Sequence, residues 1–176
     1  DVIVGCTSFM AYVYYGSAAG LSTSPARGYA NAIYTRVDVN AIATGDFNGD
    51  GFSDIAMPPA SMAAYIYFGS ATGLSATAGT LVGTGAYSRI VAADVNADGY
   101  SDLIKTTNSA LEVYAGAASG SLALLSTLTV PAPEGNTSFG YYLAVPGDLN
   151  GDGFPDLVIA SKDAGFGVGV GTGRAW

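Results

Sequence analysis

The sequence predicts an all-β protein made of β-propeller blades of four antiparallel strands, with about 3.3 repeats in 176 residues. A nine-residue acidic loop occurs three times, roughly 50 residues apart, and alternating apolar segments typical of strands flank each copy. Four strands in roughly 50 residues is the size of one propeller blade. The composition agrees, since Gly and Tyr are plentiful and only 11% of the residues are charged, which favours strands and turns.

The acidic loop also provides the positions on which the repeats are aligned, which we call repeat anchors. It reads DFNGDGFSD at 46–54, DVNADGYSD at 94–102 and DLNGDGFPD at 148–156. An apolar strand follows the last Asp of each copy, and DVIVG at 1–5 looks like the same strand. We therefore treat residues 1–176 as one propeller segment with repeat anchors at Asp1, Asp54, Asp102 and Asp156.

The remaining strands of each repeat follow from the pattern on either side of the loop. The first strand precedes the loop, in VNAIATGD, YSRIVAAD and FGYYLAVPGD. The third strand is aromatic and ends in a Gly-rich turn, in AYVYYG from residue 11, AYIYFG from residue 64 and LEVYAG from residue 111. The fourth strand is expected at 31–37 and 122–130.

This alignment makes residue 1 part of a second strand and residue 176 part of a third strand. Propellers close with four to eight blades. We therefore expect an incomplete ring, or part of a larger propeller, whose further blades come from the rest of a longer chain or from other subunits.

The loops carry oxygen-bearing groups at positions 1, 3, 5, 7 and 9, and a Gly at position 6 permits a sharp bend. Carboxylates brought close together repel one another unless a cation lies between them. Ligation by oxygen alone favours Ca²⁺, whereas Mg²⁺ demands a tighter octahedron. The sequence thus predicts three Ca²⁺ sites, with these ligands: Asp46, Asn48, Asp50, the Phe52 carbonyl and Asp54; Asp94, Asn96, Asp98, the Tyr100 carbonyl and Asp102; Asp148, Asn150, Asp152, the Phe154 carbonyl and Asp156.

Two other interpretations of the loop were weighed. An EF-hand needs a Glu at position 12 and flanking helices, but position 12 is Met57, Lys105 or Ile159 and the flanks are strands. A polar turn without metal remains open for any one copy. Three copies with an Asp at position 9 favour the metal site.

Composition excludes several classes of function. The net charge is −8 and nine of the 14 acidic residues lie in the three loops, so no basic surface for nucleic acid is expected. The sequence has no His, which excludes His-based catalysis and most zinc sites. The apolar runs are too short for membrane insertion. The single cysteine, Cys6, has no internal disulfide partner and is expected to be buried.

The loops, together with SFGYYLAVPGDLNGDGFPDLVIAS at 138–161, resemble the FG-GAP repeat, which forms the seven-bladed propeller of integrin α subunits and occurs in bacterial surface proteins. Phe139-Gly140 corresponds to its FG, and Ile159-Ala160-Ser161 and Met57-Pro58-Pro59 stand near the place of its GAP. VYYGSAAGLSTSPA is similar to the bacterial versions.

This resemblance implies Ca²⁺ in the loops, an extracellular or cell-surface location, and adhesion or binding of a protein or glycan ligand. We expect no enzyme activity, because the Asp clusters are triplicate whereas catalytic sites are usually singular. Two alternatives remain open, a lectin-like carbohydrate-binding propeller and a non-catalytic module of a secreted enzyme.

Overall fold

The computed structural model describes residues 1–5, 10–30, 42–57, 64–79, 81–83, 89–107, 110–129, 140–161 and 174–175. These ranges contain strands, turns and bends and no helix, so none of them holds a helix that could span a membrane. All strand pairs are antiparallel. The all-β prediction is therefore confirmed.

The strands form four blades in chain order and one small ribbon. Blade 1 contains β1 (Val2–Gly5), β2 (Met10–Tyr14) and β5 (Arg27–Ala30), and the ribbon contains β3 (Gly16–Ser17) and β4 (Gly20–Leu21). Blade 2 contains β6 (Ala43–Gly45), β7 (Asp54–Met57), β8 (Ala64–Tyr67) and β9 (Leu81–Val82). Blade 3 contains β10 (Arg89–Ala93), β11 (Asp102–Thr106), β12 (Ala110–Ala115) and β13 (Ala123–Thr129). Blade 4 contains β14 (Tyr142–Gly147), β15 (Asp156–Ser161) and β16 (Arg174–Ala175).

Within blades 2, 3 and 4 the neighbouring strands follow one another in sequence, so each of these sheets is a meander, as the repeat predicts, and in blade 1 the ribbon lies in sequence between β2 and β5. Blades 2 and 3 have the four strands expected of a complete repeat. The fourth strand predicted at 122–130 is confirmed by β13, whereas the one predicted at 31–37 lies outside the described residues. Cys6 and Phe139 also lie outside them.

The second strands of blades 2 and 3 run through the interior. All four residues of β7 and all five of β11 are buried. The third strands are buried on alternate residues, as β8 shows, where Ala64 and Ile66 are buried and the tyrosines between them are half-buried.

The hydrophobic core lies between the blades. One cluster joins blades 1 and 2 through Val13 and Ile55, and another joins blades 3 and 4 through Ile104 and Ile159. The cluster between blades 2 and 3 is the largest, and contains Ala43, Phe47, Ala56, Ala64, Ile66, Val82, Ile90, Leu103 and Tyr114. The first strands also meet, since β10 contacts β6 and β14. The described residues form an open succession of blades, with no closed ring among them.

The recurring strand tyrosines pack within this core. The rings of Tyr29 and Tyr67, on blades 1 and 2, meet edge to face with centroids 4.9 Å apart, and the Tyr29 hydroxyl donates to the Ser75 carbonyl (3.0 Å). Burial raises the pKa of Tyr29 to about 12, because its anion would lose contact with water. These contacts give a packing role to Tyr67, one of the repeated aromatic residues of the third strands.

Candidate metal centre

The first residue of each acidic loop holds the loop together through its carboxylate. In the first loop, Oδ1 of Asp46 accepts the backbone N–H groups of Gly49 (2.7 Å) and Asp50 (3.1 Å), and Oδ2 accepts that of Gly51 (2.8 Å). One short side chain therefore fixes three successive amides. The loop winds around this carboxylate, because such side chains readily hydrogen-bond the backbone that follows them.

The other two loops repeat this pattern. Asp94 accepts the amides of Asp98 (3.0 Å) and Gly99 (2.9 Å). Asp148 accepts those of Gly151 (2.7 Å), Asp152 (3.2 Å) and Gly153 (2.8 Å). The three copies of the sequence thus form three copies of one loop structure.

Positions 3 and 5 form a second layer of bonds. In the first loop, the Asn48 amide donates to Oδ2 of Asp50 (3.0 Å), and the Asp50 N–H donates back to Oδ1 of Asn48 (3.1 Å). The Phe52 N–H then donates to Oδ1 of Asp50 (2.9 Å). The second and third loops contain the same three bonds, in Asn96, Asp98 and Tyr100 and in Asn150, Asp152 and Phe154.

The sharp bend predicted at position 6 is present. Gly51, Gly99 and Gly153 have φ of +86°, +91° and +92°, in the left-handed region that favours glycine. The residue at position 4 also has a left-handed conformation, with φ of +72° at Gly49 and +80° at Gly151. In the second loop this position is Ala97, at +58°, where its Cβ is strained.

The Asp at position 9 is buried in the first two loops. Asp54 has no exposed surface, and its two carboxylate oxygens accept the N–H groups of Phe47 (2.9 Å) and Gly69 (2.7 Å). Asp102 is equally buried and accepts those of Val95 (2.9 Å) and Gly116 (3.0 Å). Each of these carboxylates joins its loop to the turn after the third strand.

Burial and hydrogen bonding shift the pKa of the loop aspartates in opposite directions. Burial raises the pKa of Asp54 and of Asp102 above the ordinary Asp value, and the two backbone N–H donors on each only partly oppose it. The backbone amide of Gly153, followed by other loop amides, lowers the pKa of the exposed Asp148.

The donor chemistry of the loops fits Ca²⁺, since every candidate ligand is an oxygen and an oxygen that accepts one hydrogen bond keeps a further lone pair. Each loop brings its third and fifth side chains into contact, and its first carboxylate accepts the backbone N–H of position 5. Within the described part of the chain, however, no three acidic side chains form a group ready to hold a metal ion.

The residues that attach one loop to the next blade could not be identified from the loop motif. The Ser101 N–H donates to the Asp46 carbonyl (2.8 Å), and the Ala117 N–H donates to the Phe47 carbonyl (3.0 Å). The repeated Gly after each third strand was the available signal. A Cβ at Gly69 or Gly116 would overlap the carbonyl of Ser53 or Ser101 in the loop of the same blade, and one at Gly116 would also lie 2.9 Å from the Phe47 carbonyl of the preceding blade's loop.

A comparison with family models supports the repeat. The model described as FG-GAP-like repeat matches residues 46–105 and 94–159, which together span more than half of the chain. Repeats of this kind typically form β-propeller blades in ligand-binding modules and often bind Ca²⁺. A search of curated proteins finds no match.

Proposed function

Because the chain belongs to the FG-GAP-like repeat family, we propose that it is a calcium-binding β-propeller segment that serves adhesion or ligand binding outside the cell. The observation that carries this proposal is the loop structure repeated in blades 2, 3 and 4, with two exposed or half-exposed carboxylates and an amide oxygen held at the same positions each time. The backbone amides occupy only part of the hydrogen-bonding capacity of these oxygens, so lone pairs remain for a cation.

The residues that would hold Ca²⁺ are those of positions 1, 3 and 5, the position 7 carbonyl and the Asp of position 9. The ion would supply positive charge that offsets repulsion among the carboxylates. A ligand that binds only the native state stabilises it by about 2.7 kcal/mol at a hundredfold excess over Kd. Calcium bound in these loops would therefore strengthen each blade.

We propose an extracellular location, where calcium sites of weak affinity would be filled. Calcium sites of extracellular modules have Kd on the order of 0.1–1 mM. Such sites are filled outside a cell and largely empty in cytosol. The exposed carboxylates at positions 1 and 5 suit this weak binding, because they remain hydrated without the ion.

We propose a protein or glycan ligand and no catalytic role. The acidic groups occur at equivalent positions in three blades, and the sequence offers no His to act as a general base. A glycan array probed in calcium separates a glycan ligand from a protein ligand, and binding of a defined glycan would favour the lectin-like alternative.

The first test is a thermal melt of this chain in calcium, in magnesium and in EDTA. We expect a rise in Tm of several degrees that is specific to calcium, because only the folded loop arranges the oxygens together. Equal melting temperatures in calcium and EDTA would contradict the proposal.

The second test assigns the ions to the loops. Asp50→Asn, Asp98→Asn and Asp152→Asn keep the side-chain oxygen that accepts the position 7 amide but remove one charge each. Equilibrium dialysis should give three Ca²⁺ per native chain and two per single variant. Asp163→Asn, outside the loops, is the matched control and should keep all three.

A further inference from the structure

One hydrogen-bonded path joins the first acidic loop to the second. The Ser101 N–H, at position 8 of the second loop, donates to the Asp46 carbonyl (2.8 Å), at position 1 of the first loop. The same peptide group of the first loop continues the path, because its Phe47 N–H donates to Oδ2 of Asp54 (2.9 Å). Two candidate metal centres in different blades are therefore connected through backbone peptide groups.

Both ends of this path are candidate metal ligands. At one end, the Tyr100 carbonyl of position 7 belongs to the same planar peptide group as the Ser101 N–H. At the other end, Asp54 occupies position 9 of the first loop. We call the path from the Tyr100 carbonyl through Ser101, Asp46 and Phe47 to Asp54 the inter-loop link. Because a peptide group is rigid, whatever fixes the Tyr100 carbonyl also fixes the Ser101 N–H that the first loop uses.

Packing holds the two loops against each other at the inter-loop link. A Cβ at Gly49 would lie 2.5 Å from the Tyr100 ring, and a Cβ at Gly45 would lie 2.6 Å from the Ser101 side chain. Phe47 and Asp54 have no exposed surface. The link therefore lies partly away from water, where hydrogen bonds in series strengthen one another.

The third loop lacks such a link to the second. Its position 8 is Pro155, which has no N–H to donate to the Asp94 carbonyl. The rest of the path is present, since the Val95 N–H donates to Oδ2 of Asp102 (2.9 Å) in the second loop. One residue type thus distinguishes a linked pair of neighbouring loops from an unlinked pair.

We propose that the inter-loop link makes calcium binding at the first and second loops cooperative and leaves the third loop independent of the second. The cooperativity rests on the proposed calcium binding. A loop binds the ion only when it is folded, and the folded second loop presents the Ser101 N–H that holds the Asp46 carbonyl of the folded first loop. Each loop that holds an ion therefore raises the affinity of the other, by the same factor in both directions.

The test measures each loop separately in the full chain. The N–H groups of Gly51, Gly99 and Gly153 donate to the first carboxylate of their loops, so their NMR signals are followed as calcium chloride is added. Asp98→Asn weakens the site in the second loop, and we expect it to raise the calcium Kd at Gly51 by about fivefold or more. Asp152→Asn makes the same change in the third loop and should change the Kd at Gly99 by less than about twofold.

The comparison separates the link from plain electrostatics. Both variants remove one charge from a loop one blade away from the loop that is measured, so the lost charge acts in both cases. Ser101→Pro, which imitates Pro155, then removes the link itself. In the Ser101→Pro chain, Asp98→Asn should raise the Kd at Gly51 by less than about twofold. Ser101→Ala keeps the N–H and is the matched control, in which the full effect of Asp98→Asn should remain.

The results that would overturn the proposal differ from one another. If calcium shifts none of the three glycine signals, the calcium-binding function itself is wrong. If calcium shifts all three but Asp98→Asn and Asp152→Asn change the neighbouring Kd equally, the loops bind calcium without cooperativity through the link. An effect of Asp98→Asn that persists in the Ser101→Pro chain would also reject the link as its cause.

Discussion

The first and third acidic loops have the same residue at seven of nine positions, yet the structure gives them different surroundings. Their internal hydrogen bonds are the same. At position 2, however, Phe47 is fully buried whereas Leu149 is 67% exposed, and at position 9 Asp54 is fully buried whereas Asp156 is half-buried. The motif therefore determines how the loop is folded, and the neighbouring blade determines how far it is buried.

The difference originates in the blade that follows each loop. Blade 3 supplies the amides of Ser101 and Ala117 to the first loop. The corresponding position in blade 4 is Pro155, which has no N–H to offer to the second loop. The described residues contain no blade that follows the third loop.

The largest expected loss of stability comes from truncating the buried side chain at position 2 of the first loop, compared with the exposed one in the third loop. Phe47→Ala should cost about 3–5 kcal/mol of unfolding free energy, because it leaves a cavity in the core between blades 2 and 3. Leu149→Ala is the matched control and should cost about 0.5 kcal/mol or less, since its side chain is in water. Urea unfolding in EDTA measures both. Equal costs would show that the two loops do not differ in burial.

The next largest loss of stability comes from removing a backbone hydrogen bond between blades 2 and 3. Ser101→Pro imitates Pro155, removes the donor to the Asp46 carbonyl and brings a ring carbon against that oxygen, so it should cost about 1–3 kcal/mol. Ser53→Pro makes the same change where the N–H has no acceptor in the described structure, and should cost less than about 0.5 kcal/mol. A Ser53→Pro variant as unstable as Ser101→Pro would contradict the assignment of this bond.

The sequence was sufficient for the repeated strand order and for the repeated bends of the loops. The loop spacing and alternating strands predicted the all-β fold, the order of strands in each blade and the bends at Gly51, Gly99 and Gly153. These features depend on local backbone chemistry, so they can be predicted from the sequence of each repeat separately.

The sequence was insufficient for what depends on packing between blades. Asp54 and Asp46 are both loop aspartates, and nothing local shows that one is buried against two backbone amides while the other remains half-exposed. The donors Ser101 and Ala117 belong to a different blade from the loop that they hold. The three Ca²⁺ sites remain predictions.

The pKa values provide a smaller test of the same contrast. Burial raises the pKa of Asp54, so its contribution to stability is fully present below the ordinary Asp pKa of about 3.9 and is lost as the pH rises through the raised value. Backbone amides lower the pKa of Asp148, so its contribution is present above the ordinary value and is lost as the pH falls through the lowered one. Carbon-13 NMR titration in EDTA should place the Asp54 midpoint above that of Asp148. The reverse order would contradict the assigned burial.

The smallest effect lies in the second loop, at the one described non-glycine residue with positive φ. Ala97 has a φ of +58° where the other two loops have Gly, which costs the native state about 1–2 kcal/mol. Ala97→Gly removes that strain but adds freedom to the unfolded chain, which offsets about 0.4–1 kcal/mol of the gain. We expect a net stabilisation of a few tenths to about 1 kcal/mol in urea unfolding. The reverse substitutions, Gly49→Ala and Gly151→Ala, should destabilise, the first by more because its Cβ would meet the Tyr100 ring of the second loop. A larger loss at Gly151 would show that the neighbouring loop does not constrain the first one.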